Sequence, residues 1–164
     1  QLSAPVTIYR TGVKSKNSAM ASSASWIKFY DGAFENGRSP WDGAENAFYS
    51  DKVFVHEFCH LIDYEGTNDP QPPGTKKSYR SLLDRYQPKN GIRWGSGNNF
   101  VTDYARTSHA EDFAESCAYF ILAPRVLEER APEKFAAMKD LLFKGQDFKN
   151  SKWNLPLFPE ISDL

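Results

Sequence analysis

Cysteine is scarce in this chain of 164 residues, with only Cys59 and Cys117. They form no Cys-x-x-Cys metal knuckle and outline no disulfide framework. Long apolar runs are missing, so no segment reads as a membrane span. Charge of one sign is missing too. A formal net charge of −1 leaves no broad basic footprint for nucleic acid. Internal repeats are absent, and so are Asn-x-Ser/Thr acceptors. Histidine is sparse, with three residues in all.

What is present is an ordinary globular balance. Apolar residues make up 40%, charged residues 25% and aromatics 15%. The length fits one compact domain, residues 1–164, large enough for a core without disulfide staples. The first part reads as short strands and turns. Residues 6–10 and 25–30 are β-prone, and Asp31-Gly32, Asn36-Gly37 and Asp42-Gly43 read as turns. Residues 47–49 suggest a strand edge leading into a helix over 51–64. Phe54, Phe58, Leu61 and Ile62 form the apolar stripe of that helix, and Gly66 marks its stop. Residues 67–75 and 88–99 are rich in turn formers and read as loops on either side of a short helix over 78–86. A helix over 108–122 carries the stripe Phe113, Cys117, Phe120 and Ile121, and Pro124 breaks or restarts it. Another helix spans 132–144 with Gly145 as its stop, and residues 146–164 read as an extended tail. The fold class expected is α+β, a small N-terminal sheet with an active-site helix and a helical C-terminal part. Both cysteines are expected to be free, buried thiols.

His56-Glu57-Phe58-Cys59-His60 is an H-E-x-x-H motif. Residues four apart on a helix share a face, so both imidazoles can reach one metal ion. Glu57 lies about 100° round the helix, beside the metal, where it can take a proton from a metal-activated water. The motif also occurs by chance in unrelated helices. Here two of the three histidines occupy it, and the rest of the helix is apolar enough to be buried. Zinc is the metal expected. A catalytic zinc usually takes a third protein ligand and keeps one position open. The metzincin pattern would need glycine at 63 and histidine at 66, where this chain has Asp63 and Gly66. The remaining candidates lie in the 109–115 segment. Glu111 and Glu115 are four apart on one face, so one can bind metal while the other braces a ligand histidine. Glu111 ranks first because two histidines and a glutamate are a familiar catalytic set, with His109 and Glu115 behind it. A plainer account of Glu111 is a capping box with Ser108.

These segments, His56 to Asp63 and Tyr104 to Glu115, resemble a group of gluzincins. The group contains the Mlc titration factor A peptidases, the anthrax lethal factor catalytic domain and the Pro-Pro endopeptidases. The helix starting Ala131-Pro132-Glu133 is similar to the end of the titration-factor family. The resemblance covers the C-terminal two-thirds of the chain. It implies a zincin-like metallopeptidase domain with His56, His60 and Glu111 as zinc ligands and Glu57 as the general base. It also implies Tyr104 as a hydrogen-bond donor to the oxyanion. Asp63 and Glu115 would orient the histidines. Cys59 departs from the pattern, which tends to a small residue there, and reads as packing.

The function expected is therefore zinc-dependent hydrolysis of peptide bonds in a peptide or protein substrate. The alternatives are a zinc-binding interaction module with degenerate catalysis, which an intact Glu57 argues against, and an accidental motif. No nucleic-acid or membrane partner is expected, and the chain reads as a monomer. The loops 67–77 and 88–103 would shape substrate access. The start at Gln1 leans toward a processed extracellular protein, with a cytoplasmic one as the alternative.

Overall fold

The computed structural model describes residues 6–12, 19–21, 26–33, 49–66, 94–95 and 97–149. Three strands form one sheet in the order β1-β3-β2: β1 Thr7–Thr11, β2 Ala19–Ala21 and β3 Trp26–Tyr30. β1 runs parallel to β3, with Thr7 opposite Trp26, and β2 runs antiparallel, with Ala19 opposite Phe29. β3 is the central strand, and its burial alternates as a half-buried strand requires: Ile27 and Phe29 point into the core while Trp26, Lys28 and Tyr30 are half-buried. β1 is largely exposed, which fits an edge position. A single 3-10 turn, Asp31–Ala33, follows β3 where the Asp31-Gly32 turn was expected. Thus the expected strands over 6–10 and 25–30 are present within one residue at each boundary, apart from Ser25, which lies outside the described residues. β2 was not foreseen.

Helix α1 spans Tyr49–Gly66, longer at both ends than the sequence suggests. Tyr49 belongs to it rather than to a strand edge, and Gly66 is its last residue. The expected stripe is only partly right. Leu61 is buried with Ile27, Phe29 and Ala33, and Val53 and Phe58 pack on that cluster. Phe54 is 40% exposed, stacked between Phe29 and Phe58 at centroid distances of 6.0 and 6.4 Å. The opposite side of α1 is also apolar. Cys59, with Val55 and Ile62 beside it, joins the larger core built with Phe113, Cys117, Phe120, Leu127, Phe135 and Met138. α1 is therefore sandwiched between sheet and helices. The expected helix over 78–86, the loop over 67–75, the turns at Asn36 and Asp42 and residues 150–164 lie outside the described residues.

The helical part comprises α2 His109–Leu122, α3 Pro124–Arg130 and α4 Pro132–Ala137. Ser108 caps α2, its hydroxyl accepting the Glu111 N–H at 3.1 Å. Pro124 and Pro132 each open a new helix, where the missing N–H costs nothing. The expected helix over 132–144 instead relaxes into a π turn, Met138–Leu142, closed by the Phe143 N–H on the Met138 carbonyl at 3.2 Å. Gly145 ends it at a φ of +84°, a region that glycine enters without steric cost. Among the described residues, no helix is long and apolar enough to cross a membrane.

α2 is buried almost all round, including Asp112 and Glu115. The Asp112 carboxylate accepts from Lys134 Nζ at 2.7 Å and from the Gly95 N–H at 2.7 Å. Lys134 also donates to the Asn99 carbonyl and sits 4.5 Å from the centre of the Phe100 ring. Burial pushes Asp112 up and Lys134 down, and the ion pair pulls each back. Arg130 donates to the Val101 carbonyl at 3.0 Å. α2, α3 and α4 thereby grip the segment from Trp94 to Val101 that leads into the site.

The expectation of two free thiols is overturned. Cys59 and Cys117 form a disulfide, with Cα atoms 6.0 Å apart and a separation of 58 positions in sequence. Each cysteine does point away from the polar face of its own helix. α1 and α2 pack so closely that the two buried faces meet, and the thiols meet with them. The bridge closes a long loop of the unfolded chain. Replacing both cysteines with alanine should lower the unfolding free energy by about 2–4 kcal/mol. Chemical denaturation of the double variant against the oxidised parent checks this, and equal midpoints with equal slopes would refute it.

Candidate metal centre

Two helices build the site. α1 places His56 and His60 one turn apart, with their rings edge to face at a centroid distance of 4.7 Å. Their Nε2 atoms approach to 3.1 Å. α2 crosses this face and delivers Glu111. One of its carboxylate oxygens lies 3.0 Å from His56 Nε2 and 3.3 Å from His60 Nε2. The three ligand atoms all fall within 4.8 Å of one another. The fit to zinc is direct. Tetrahedral ligands roughly 2.0–2.2 Å from one ion are themselves roughly 3.3–3.6 Å apart, so a small outward adjustment admits the ion.

The remaining groups set the histidine orientation. Glu115, one turn after Glu111, places a carboxylate oxygen 2.8 Å from His56 Nδ1. With Nδ1–H donated to Glu115, Nε2 is the nitrogen turned to the ligand cluster. Glu115 is 2% exposed, and its other oxygen accepts from the Thr102 hydroxyl at 2.6 Å and pairs with Lys52 Nζ at 3.4 Å. Glu57 is buried beside His56. Tyr104, on the 3-10 turn Tyr104–Thr107, has its ring centre 5.8 Å from that of His56. Asp63 is buried on α1, one turn beyond His60. His109 does not join the ligand cluster. Its ring lies where a Cβ at Gly95 would collide with it, and Gly95 takes a φ of +68°.

Electrostatics follow from this crowding of carboxylates. Burial alone would depress the His56 imidazole, but the Glu111 and Glu115 carboxylates outweigh it and push it up to about 10. Burial would raise Glu111, yet its bonds to His56 and His60 hold it well below the usual carboxylate range. Glu115 is likewise held low, with His56 and Lys52 overcoming its burial. Burial, then the charges of Glu111 and Glu57, push the Tyr104 phenol above its ordinary value, so it keeps its proton and is a donor at neutral pH.

The structure thus brings together His56, Glu57, His60, Tyr104, Glu111 and Glu115. The capping account of Glu111 also holds in part, because its backbone N–H binds Ser108 while its carboxylate turns to the histidines. Sequence reasoning missed Lys52 and Thr102. Lys52 was findable, since it lies four residues before His56 on the same helix face. Thr102 carries no local signal.

Among curated proteins, none matches the chain. Residues 39–143, more than half of the chain, match a metallopeptidase family, and that stretch contains every residue of the centre just described. The chain belongs to the glucose-regulated metallo-peptidase M90 family.

Proposed function

We propose that the chain is a zinc-dependent peptidase in which His56, His60 and Glu111 hold the metal. The observation that carries this reading is the convergence of those three ligand atoms within 4.8 Å. Family membership supports peptide hydrolysis and implies a zincin-like fold. Bound there, zinc would acidify a water molecule and polarise the scissile carbonyl. Glu57 takes the proton of the attacking water and passes it to the leaving amine as the C–N bond breaks. The Tyr104 O–H donates to the oxygen that gains negative charge at the substrate carbon. Glu115 keeps the His56 ring in its tautomer and orientation, and Asp63 serves His60 in the same way. Residues 1–164 act as one catalytic domain on a peptide or protein substrate. The Cys59–Cys117 disulfide supports work in an oxidising, extracytoplasmic compartment.

The metal assignment is tested by separating ligands from their brace. His60→Ala and Glu111→Ala should abolish stoichiometric zinc, whereas Glu115→Ala should keep three ligands and lose about 10–100-fold in affinity. Competition with a chromophoric chelator measures all three. Loss of zinc in Glu115→Ala alone would reverse the two glutamate roles.

Glu57→Gln should bind zinc normally and lose roughly 10²–10⁴-fold in peptide hydrolysis. Tyr104→Phe should lower kcat more than it raises KM, because its hydrogen bond strengthens in the transition state. Near-normal turnover in Glu57→Gln would remove Glu57 as the base.

Proton release gives an independent check. In the chelated protein His56 holds its proton at neutral pH, with a pKa raised to about 10. Metal must displace that proton, so zinc affinity should rise with pH up to about 10 and fall as pH drops. Calorimetric titration at pH 7 in two buffers of different ionisation enthalpy should report about one proton released. The same enthalpy in both buffers would show that the ring is neutral before metal arrives.

A further inference from the structure

We propose that Thr102 is a positioning residue whose single hydroxyl locks the Tyr104 turn to the metal-ligand histidine. The proposal rests on the peptidase reading above for the role of Tyr104, and on geometry alone for the linkage.

The hydroxyl of Thr102 makes two bonds of opposite sense. Its O–H donates to Glu115 at 2.6 Å, and its oxygen accepts the Ala105 N–H at 3.2 Å. Ala105 directly follows Tyr104 in the 3-10 turn Tyr104–Thr107 and is fully buried. The N–H groups at the start of such a turn have no partner within it. The Asp103 side chain, in the formal capping position, takes the Arg106 side chain and caps no backbone N–H of the turn, and Thr102 supplies that cap from a residue earlier. At the other end, Glu115 holds His56 Nδ1 at 2.8 Å. A continuous chain of hydrogen bonds therefore runs from the backbone beside Tyr104, through Thr102 and Glu115, to His56.

A hydroxyl suits this place for a chemical reason. It donates and accepts through one small atom. Valine has the same shape and does neither. β-Branching stiffens the threonine χ1, so the oxygen is aimed rather than free to rotate between the two partners. Lys52 provides the contrast. Its ammonium lies 3.4 Å from the same Glu115 oxygen, and it reaches that oxygen from α1. Loss of Lys52 takes a charge from Glu115 at the histidine end, and loss of the Thr102 hydroxyl takes a bond from each end.

The experiment reads both ends without needing turnover. The full protein is labelled with 3-fluorotyrosine, and the Tyr104 fluorine resonance is assigned by its loss in Tyr104→Phe. Zinc affinity is measured in parallel by chelator competition. Thr102→Val should shift the Tyr104 resonance and weaken zinc by about 10-fold, the low end for a group outside the ligand set. Lys52→Met should weaken zinc and shift the Tyr104 resonance less than Thr102→Val does. Thr102→Ser restores the hydroxyl and should bring both signals back. If Thr102→Val does not fold, Thr102→Ala removes the same hydroxyl without bulk and is read in its place. A Tyr104 resonance unmoved by loss of the hydroxyl, or unchanged zinc affinity, overturns the proposal. On peptide substrate, Thr102→Val should lower kcat with KM little changed, and its effect should shrink in the Tyr104→Phe background. Full additivity of the two substitutions would show that Thr102 does not act through Tyr104. A parent protein that binds zinc but hydrolyses no peptide would refute the peptidase reading, and the resonance and affinity data would still decide the linkage.

Discussion

Burying the Glu115 carboxylate is costly, and the centre is arranged around satisfying it. An ionised carboxylate removed from water must be given donors or it takes up a proton. Glu115 receives three, from His56, Thr102 and Lys52, and these come from two separate stretches of chain. Two lie on α1, and the third precedes the turn that carries Tyr104. The same carboxylate therefore fixes how α2 sits against α1 and where the following polar groups fall. Removing one partner from such a buried set typically costs about 3–5 kcal/mol, far more than an exposed pair such as Arg106–Asp103 contributes.

α2 meets this demand because it is a structural helix before it is a functional one. Its Phe113, Cys117 and Phe120 side belongs to the main core. Its Asp112 anchors Lys134 and the turn at Gly95, and through them the segment running to Thr102. Its Cys117 is covalently tied to Cys59, one residue before His60 of the His56–His60–Glu111 cluster. Glu111 and Glu115 occupy the one strip left over. Side chains on so constrained a helix have little freedom to drift, which is what a preorganised metal site needs.

Much of the centre could be read from spacing, because it is built from helix periodicity. His56 and His60, and then Glu111 and Glu115, are each four residues apart, and a single helix makes such pairs neighbours. Lys52, four residues before His56, obeys the same rule. What spacing could not give was how α1 and α2 approach each other. Cys59 and Cys117 each looked like packing on its own helix, and only the apposition of the two makes them partners. β2 has three residues and too little pattern to stand out, and the parallel pairing of β1 with β3 skips over it. Thr102 sits in irregular backbone, where no period exists, and its two bonds are set by tertiary structure. The helix end at 138–142 failed differently: the apolar pattern continues, but the hydrogen bonding widens to a π turn before Gly145.

Charge gives the last constraint. Glu57, Glu111 and Glu115 crowd the face of α1 around two imidazoles, and Lys52 is the buried cation facing Glu115. That leaves an excess of negative charge in a poorly hydrated place. A proton on His56 offsets part of it, which is why the imidazole is raised despite its burial. A divalent cation held by His56, His60 and Glu111 offsets more, and does so without a proton on His56. The carboxylates that make the metal-free centre expensive are thus the ones that make a cation favourable there. That balance is one of charge and burial, whatever the substrate. It also explains why Tyr104 remains a phenol beside this cluster: further negative charge at that position would meet both Glu111 and Glu57.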